Sequence, residues 1–285
     1  MNLEDISHFY TKSSRKDNDS VNKLRENILV DILTGKIPAE FYLDERWIEI
    51  KTKLMNCLDL YGFVLKDNII KKGGMGNNYD FQLTDDITYH IEFKCNNVCV
   101  SKLPQFLELF DRDICLEYNM TTTSYSEYYY MNYLDKYLET DSFVVPKPTL
   151  DEYVKCVRDI KYKHPFIRQL YDKKESNKKK KVDIVSASIK NYLLEYSPKF
   201  DFTSIEKKIR DSQQGKIYLF WTGTDFTIQE VDISAIKIGN LIDIKPKCFT
   251  IEVEGFEYNI EIRLNWGNNN GIANPRWKFT FKKPS

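Results

Sequence analysis

A chain of 285 residues is long enough to bury a sizeable core in one large or two modest domains. Its 42 Lys and Arg balance 42 Asp and Glu, which excludes a uniformly basic nucleic-acid coat but not a single basic cleft, because field follows distribution rather than sum. No apolar run approaches the ~20 residues of a bilayer span, and the polar start Met1–Asp19 has no signal-peptide segment, so an intracellular, cytoplasmic chain is expected, with no membrane partner.

Residues 1–19 read as a flexible arm. A first helix is predicted from Ser20 to Leu33 on the stripe Val21, Leu24, Ile28, Ile32, with Gly35 as terminator. A second fits Asp44 to Tyr61, with Trp47, Ile50, Leu54 and Leu58 at helical spacing. Glu45 and Glu49 fall about 160° from the centre of that stripe and are expected to face solvent.

The period then changes. Phe63–Asp67 suits a short strand, and Lys71–Asn78 is a glycine-rich loop that lacks the Lys-Ser/Thr of a phosphate-binding loop. Tyr79–Leu83 and Thr88–Cys95 alternate strictly, as half-buried strands do. Leu103–Phe110 reads as a helix with Pro104 in its first turn, and Asp113–Tyr118 as a returning strand. Helices follow over Tyr128–Leu138, Leu150–Ile160, Val182–Tyr196 and Ile205–Arg210, with Lys173–Lys181 a solvated, charged loop. Beyond Gln214 come strands: Lys216–Trp221, Phe226–Val231, Cys248–Glu254, Tyr258–Asn265 and Trp277–Lys282.

Chemistry concentrates on the Thr88–Cys95 strand. One face carries Thr88, His90, Glu92 and Lys94, the other Tyr89, Ile91, Phe93 and Cys95. A carboxylate and an ammonium two residues apart on one face lie roughly 7 Å from each other, so Glu92 can hold a divalent cation while Lys94 reaches a water or a phosphate oxygen. Asp80 lies on the preceding strand, with Tyr79 and Phe81 expected to point away from it. Asp80, Glu92 and the backbone carbonyl of Phe93 form a hard-oxygen set suited to Mg²⁺ (or Mn²⁺). The register is a test. A two-residue turn at Asp85–Asp86 would set Asp80 opposite Ile91, on the wrong face; a three-residue connection, Asp85–Ile87, pairs Asp80 with Glu92 and Gln82 with His90.

Asn78-Tyr-Asp80, eleven residues, then Glu92-Phe-Lys94 resembles the PD-(D/E)XK nuclease superfamily over roughly residues 44–116, with Tyr79 standing where the motif's proline would be. The chain is also similar to uncharacterised nuclease-like proteins of giant DNA viruses. The resemblance implies an α/β (α+β) fold: a restriction-endonuclease-like mixed sheet flanked by helices over residues 20–145, then a helical segment (146–213) and a β-rich C-terminal region (214–285). It implies a metal-dependent endonuclease with Asp80, Glu92 and Lys94 catalytic, double-stranded DNA as substrate, a homodimer for cutting both strands, and a viral replication site as one setting. It further implies a helix-borne glutamine in the site, a role that falls to Gln105. The alternative on the same fold is an inactive nucleic-acid-binding or structural protein.

Lys71, Lys72 and His90 are further candidates for contact with nucleic acid, being beside or on the catalytic face. Arg276 and Lys278 flank Trp277, and across a Gly/Asn-rich turn stands Trp266; such a hairpin either stacks on bases and grips phosphates or, the favoured reading, buries both tryptophans in a core. Of six cysteines, Cys95 and Cys99 are four apart but have no second pair to complete a zinc site.

Overall fold

Alternation of apolar and polar residues turns one face of Thr88–Cys95 to a core that helical stripes cover, whereas Lys216–Trp221 is buried along its whole length. The computed structural model describes all residues except 12–16, 64–68, 73–78, 85–86, 96–98, 104, 108–122, 233–235, 269–270 and 284–285. The strands expected at 63–67 and 113–118, the Gly73–Gly76 loop and the Asp85–Asp86 turn therefore lie largely or wholly outside the described residues. Among those described, ten strands and a set of helices make a mixed α+β protein. No helix among them is long and apolar enough to cross a membrane.

The chain divides into two units. The first comprises residues 1–102 and 213–233, the second 103–212 and 234–285. One limit falls within a residue of the expected boundary at 213/214, whereas none falls at 145/146 and a further one falls at 233/234, because Lys216–Trp221 and Phe226–Glu230 return to complete the sheet that strands within residues 69–95 begin.

In the first unit, α1 (Asn18–Leu33) and α2 (Glu45–Leu60) accompany β1 (Ile69–Lys71), β2 (Phe81–Thr84), β3 (Thr88–Cys95), β5 (Lys216–Trp221) and β6 (Phe226–Glu230). The sheet order is β1-β2-β3-β5-β6; β3 and β5 are parallel and the other pairs antiparallel. One face carries Phe81, Leu83, Ile91, Phe93, Ile217, Leu219 and Trp221 into a core shared with Ile28, Leu29 and Ile32 of α1 and Trp47, Ile50, Leu54 and Leu58 of α2. Asp44 caps α2, its carboxylate accepting from the Arg46 amide at 2.9 Å.

The N-terminal segment is not a free arm. Leu3–Phe9 form a 3-10 helix whose Ile6 and Phe9 are buried. The indole of Trp47 donates to the Leu3 carbonyl at 2.9 Å, that of Trp221 to the Phe9 carbonyl at 2.7 Å, and the buried Arg25 guanidinium to the His8 and Thr11 carbonyls. Polar composition concealed this anchoring, since two apolar residues suffice once three buried donors need backbone acceptors.

The second unit holds α3 (Tyr125–Asn132), α4 (Leu134–Leu138), α5 (Leu150–Cys156), α6 (Pro165–Asp172), α7 (Lys178–Tyr196) and most of α8 (Phe202–Gln213). Its antiparallel sheet runs β4 (Gln105–Leu107), β10 (Ala273–Lys282), β9 (Asn259–Asn268), β8 (Cys248–Val253), β7 (Ile238–Lys245). The expected helix at 103–110 is replaced at 105–107 by strand β4, where pairing with Trp277–Phe279 overrides the helical spacing of the apolar residues. The strand β7 escaped the sequence pattern because register shifts interrupt its alternation. Trp266 and Trp277 are buried among Tyr125, Tyr129 and Tyr192. Gly271, at φ 81°, lets their hairpin turn pack where a Cβ would come within 2.5 Å of the Tyr137 ring. The tryptophans are core residues, not stacking platforms.

Candidate active site

The alternation of β3 and its register with β2 assemble the site. Phe81 pairs with Ile91, Gln82 with His90 and Thr84 with Thr88, which is the Gln82–His90 pairing expected of the three-residue connection; the ladder ends at Phe81, and Asp80 stands at the bend before it. Just before β2 the chain bends, and the Asp80 amide still donates to the Ile91 carbonyl at 2.8 Å. On the other edge of β3, the His90 amide donates to the Gly215 carbonyl at 2.9 Å. Amide directions alternate along a strand, so the N–H and carbonyl of Phe93 point toward β2. That N–H donates to Asp80 Oδ2 at 2.8 Å and fixes the carboxylate beside the Phe93 backbone.

Three charged side chains meet there. Lys94 Nζ lies 2.5 Å from Glu92 Oε1 and 3.8 Å from Asp80 Oδ2, so both carboxylates converge on one ammonium. The site is enclosed but reachable: 16% of the Asp80 side chain, 13% of Glu92 and 29% of Lys94 remain exposed. Burial raises the Asp80 carboxyl above the usual range, with Lys94 opposing and Glu92 adding to it. Glu92 goes the other way: burial works to raise it, but Lys94 and Lys216 together hold it below the ordinary value. The Lys94 ammonium resists burial and stays above the usual lysine value because Glu92 and Asp80 surround it.

Two members escaped the sequence reading. Lys216 opens β5, its side chain 2% exposed, and its Nζ lies 3.3 Å from Glu92 Oε2; burial pushes its ammonium below the usual lysine value. Parallel pairing sets Lys216 beside His90 and Tyr218 beside Glu92 on the same face. No local signal announces this, since β5 is far along the chain. Glu26, on α1, lies close enough to the cluster for its carboxyl to be pushed up to about 7, first by burial and then by the charge of Asp80, against the pull of Lys94 and Lys71. On α2, Glu49 accepts from Tyr10 and Lys53, and Glu45 is exposed.

Other candidates separate. Lys71 is exposed at the end of β1 and donates to Asn27, while acting electrostatically on Glu26. Lys72 is exposed, its amide donating to the Asp80 carbonyl at 3.0 Å. His90 stacks on Tyr79 with ring centroids 4.1 Å apart; the bend at residues 79–80 brings Tyr79 onto the His90 side instead of away from it. Gln105 belongs to the second unit, buried on β4 opposite Phe279, and is not on a helix. Arg276 and Lys278 also belong to the second unit, on β10, with Lys278 directly across from Arg263. The Lys178–Lys181 run is the first turn of α7, not a loop, and Lys181 is buried against Asp141 at 2.5 Å.

Among the described residues no group of three or more His, Cys, Asp or Glu side chains is arranged to hold a metal ion. Two carboxylates with one adjacent carbonyl do fit a hydrated Mg²⁺, which keeps several waters and takes only one or two carboxylates from a protein. The Lys94 ammonium already marks the point where these carboxylates demand positive charge. Comparison with protein-family models, with curated proteins and with solved structures returns no match to this chain.

Proposed function

We propose that this protein is a metal-dependent nuclease of the PD-(D/E)XK kind, hydrolysing phosphodiester bonds of DNA. The observation that carries the reading is the convergence of Asp80 and Glu92 on Lys94, with the Phe93 amide holding Asp80 in place. Asp80, Glu92 and the Phe93 carbonyl would hold Mg²⁺ or Mn²⁺; when bound, the ion supplies Lewis acidity toward phosphate and lowers the pKa of a bound water. Glu92 keeps its charge near neutrality because two lysines surround it. Lys94, the more exposed of those lysines, can turn from Glu92 to an incoming phosphate and offset the charge that grows as water attacks phosphorus and the P–O bond to the leaving oxygen breaks. Enclosure of the acids keeps bulk water from screening these interactions.

One observation favours a second reading. Glu92 is neutralised twice, by Lys94 and Lys216, as in a buried ion cluster that only stabilises the sheet of an inactive nucleic-acid-binding protein. Titration of Mg²⁺ or Mn²⁺ with plasmid and single-stranded DNA separates the two. Metal-dependent cleavage that falls roughly 10²–10⁴-fold in Lys94→Ala supports the nuclease; DNA binding without cleavage at any metal concentration selects the inactive reading.

A further inference from the structure

The two oxygens of Glu92 face cations of unequal freedom. Oε1 meets Lys94, whose side chain is 29% exposed and can leave; Oε2 meets Lys216, whose side chain is 2% exposed and cannot. The backbone of Lys216 is pinned as well, since the preceding Gly215 carbonyl accepts from the His90 amide and β5 runs in register with β3 to Cys95 and Trp221. The next residue on its face, Tyr218, is buried and donates to Gln213. Pulling a buried ammonium off its carboxylate leaves an uncompensated charge, a strongly unfavourable change. An arriving ligand therefore displaces Lys94 first.

A carboxylate that serves two divalent ions offers one oxygen to each, with the ions about 3.5–4 Å apart. Here the second oxygen is already taken. On the reading that the cluster is a nuclease centre, we propose that Lys216 fills the place of a second metal ion: the site takes one divalent cation, and Lys216 is a positioning residue that keeps Glu92 aimed once Lys94 has turned to the phosphate. The fixed positive charge has a double effect. It weakens the hold on the single metal ion by repulsion while preserving the orientation of its carboxylate ligand.

Mn²⁺ binding to the full chain, followed by the resonance of free Mn²⁺ and by calorimetry, tests this in the native protein, Lys216→Met and Lys216→Arg, with thermal unfolding to verify that each variant folds. The native chain is expected to bind one Mn²⁺. Lys216→Met is expected to bind it at least about tenfold more tightly, because a neighbouring like charge is gone, and yet to cleave DNA about tenfold more slowly at saturating Mn²⁺. Lys216→Arg returns both values toward native. A merely structural lysine would weaken binding and cleavage together. Two Mn²⁺ per native chain overturn the inference whether or not the variants fold, as does a folded Lys216→Met with unchanged or weaker binding. Absence of Mn²⁺ binding together with absence of cleavage in the native chain removes the nuclease reading itself.

Discussion

Glu26 shows how one carboxyl reports on the whole cluster. Folding raises its value to about 7, so between the unfolded carboxyl value of about 4.3 and about 7 the folded chain holds a proton that the unfolded chain has released. Stability must then fall as pH rises through that window. In urea titrations at about pH 5 and about pH 8, the native protein is expected to lose more stability than Glu26→Gln, by on the order of 1 kcal/mol after solvent screening; equal losses would refute the assignment. Asp80→Asn keeps an acceptor for the Phe93 amide but removes the charge that, after burial, contributes most to the rise. The Glu26 midpoint, followed by carboxyl NMR, is expected to drop in that variant. Glu92 and Lys94 were legible at this scale because a strict two-residue period leaves no choice of face. Glu26 was not: on α1 it sits beside the buried Arg25 and outside the apolar stripe, and only the packing of the helix against the sheet brings it to Asp80.

Among the elements, β3 and α2 follow from their patterns alone, whereas β4 and the start of α7 do not. Four successive lysines suggest a solvated loop, yet Lys178–Lys181 begin a helix, and Lys181 is drawn inward by Asp141, by the Lys173 carbonyl and by the rings of Tyr137 and Phe143. Asp141, despite burial, is held below the usual carboxylate range chiefly by its hydrogen bond from Lys181. Its contribution to stability is present above the unfolded aspartate value and is lost as pH falls through the lower folded value. Asp141→Ala strands a buried ammonium and is expected to destabilise the protein by about 3 kcal/mol, while Lys179→Ala, at an exposed position, stays within about 0.5 kcal/mol; chemical denaturation measures both. In the β9–β10 hairpin, Gly271→Ala combines a left-handed backbone with a clash against Tyr137 and is expected to lower stability by about 2 kcal/mol, visible as a reduced Tm.

Across the whole molecule, the first unit is discontinuous: the chain leaves it near residue 102 and returns near 213. Parallel strands require a crossover, and here the path between β3 and β5 runs through most of the second unit. The boundary near residue 145 that the family resemblance implies omits the strand that flanks β3 and the lysine that holds Glu92. A fragment ending at residue 145 is therefore expected to show no cooperative unfolding by circular dichroism, and recovery of a sharp transition in that fragment would contradict the pairing of β3 with β5.

The parallel pairing also orders events in time. At a synthesis rate of roughly 5–20 residues per second, on the order of ten seconds separate the emergence of Glu92 from that of Lys216. Throughout that interval a nascent chain holds an open strand edge and an acid whose second oxygen has no partner from β5. The Glu92 carboxylate gains its second ammonium partner only after residue 216 has been made, and a ribosome-bound half-product carries the acids without Lys216.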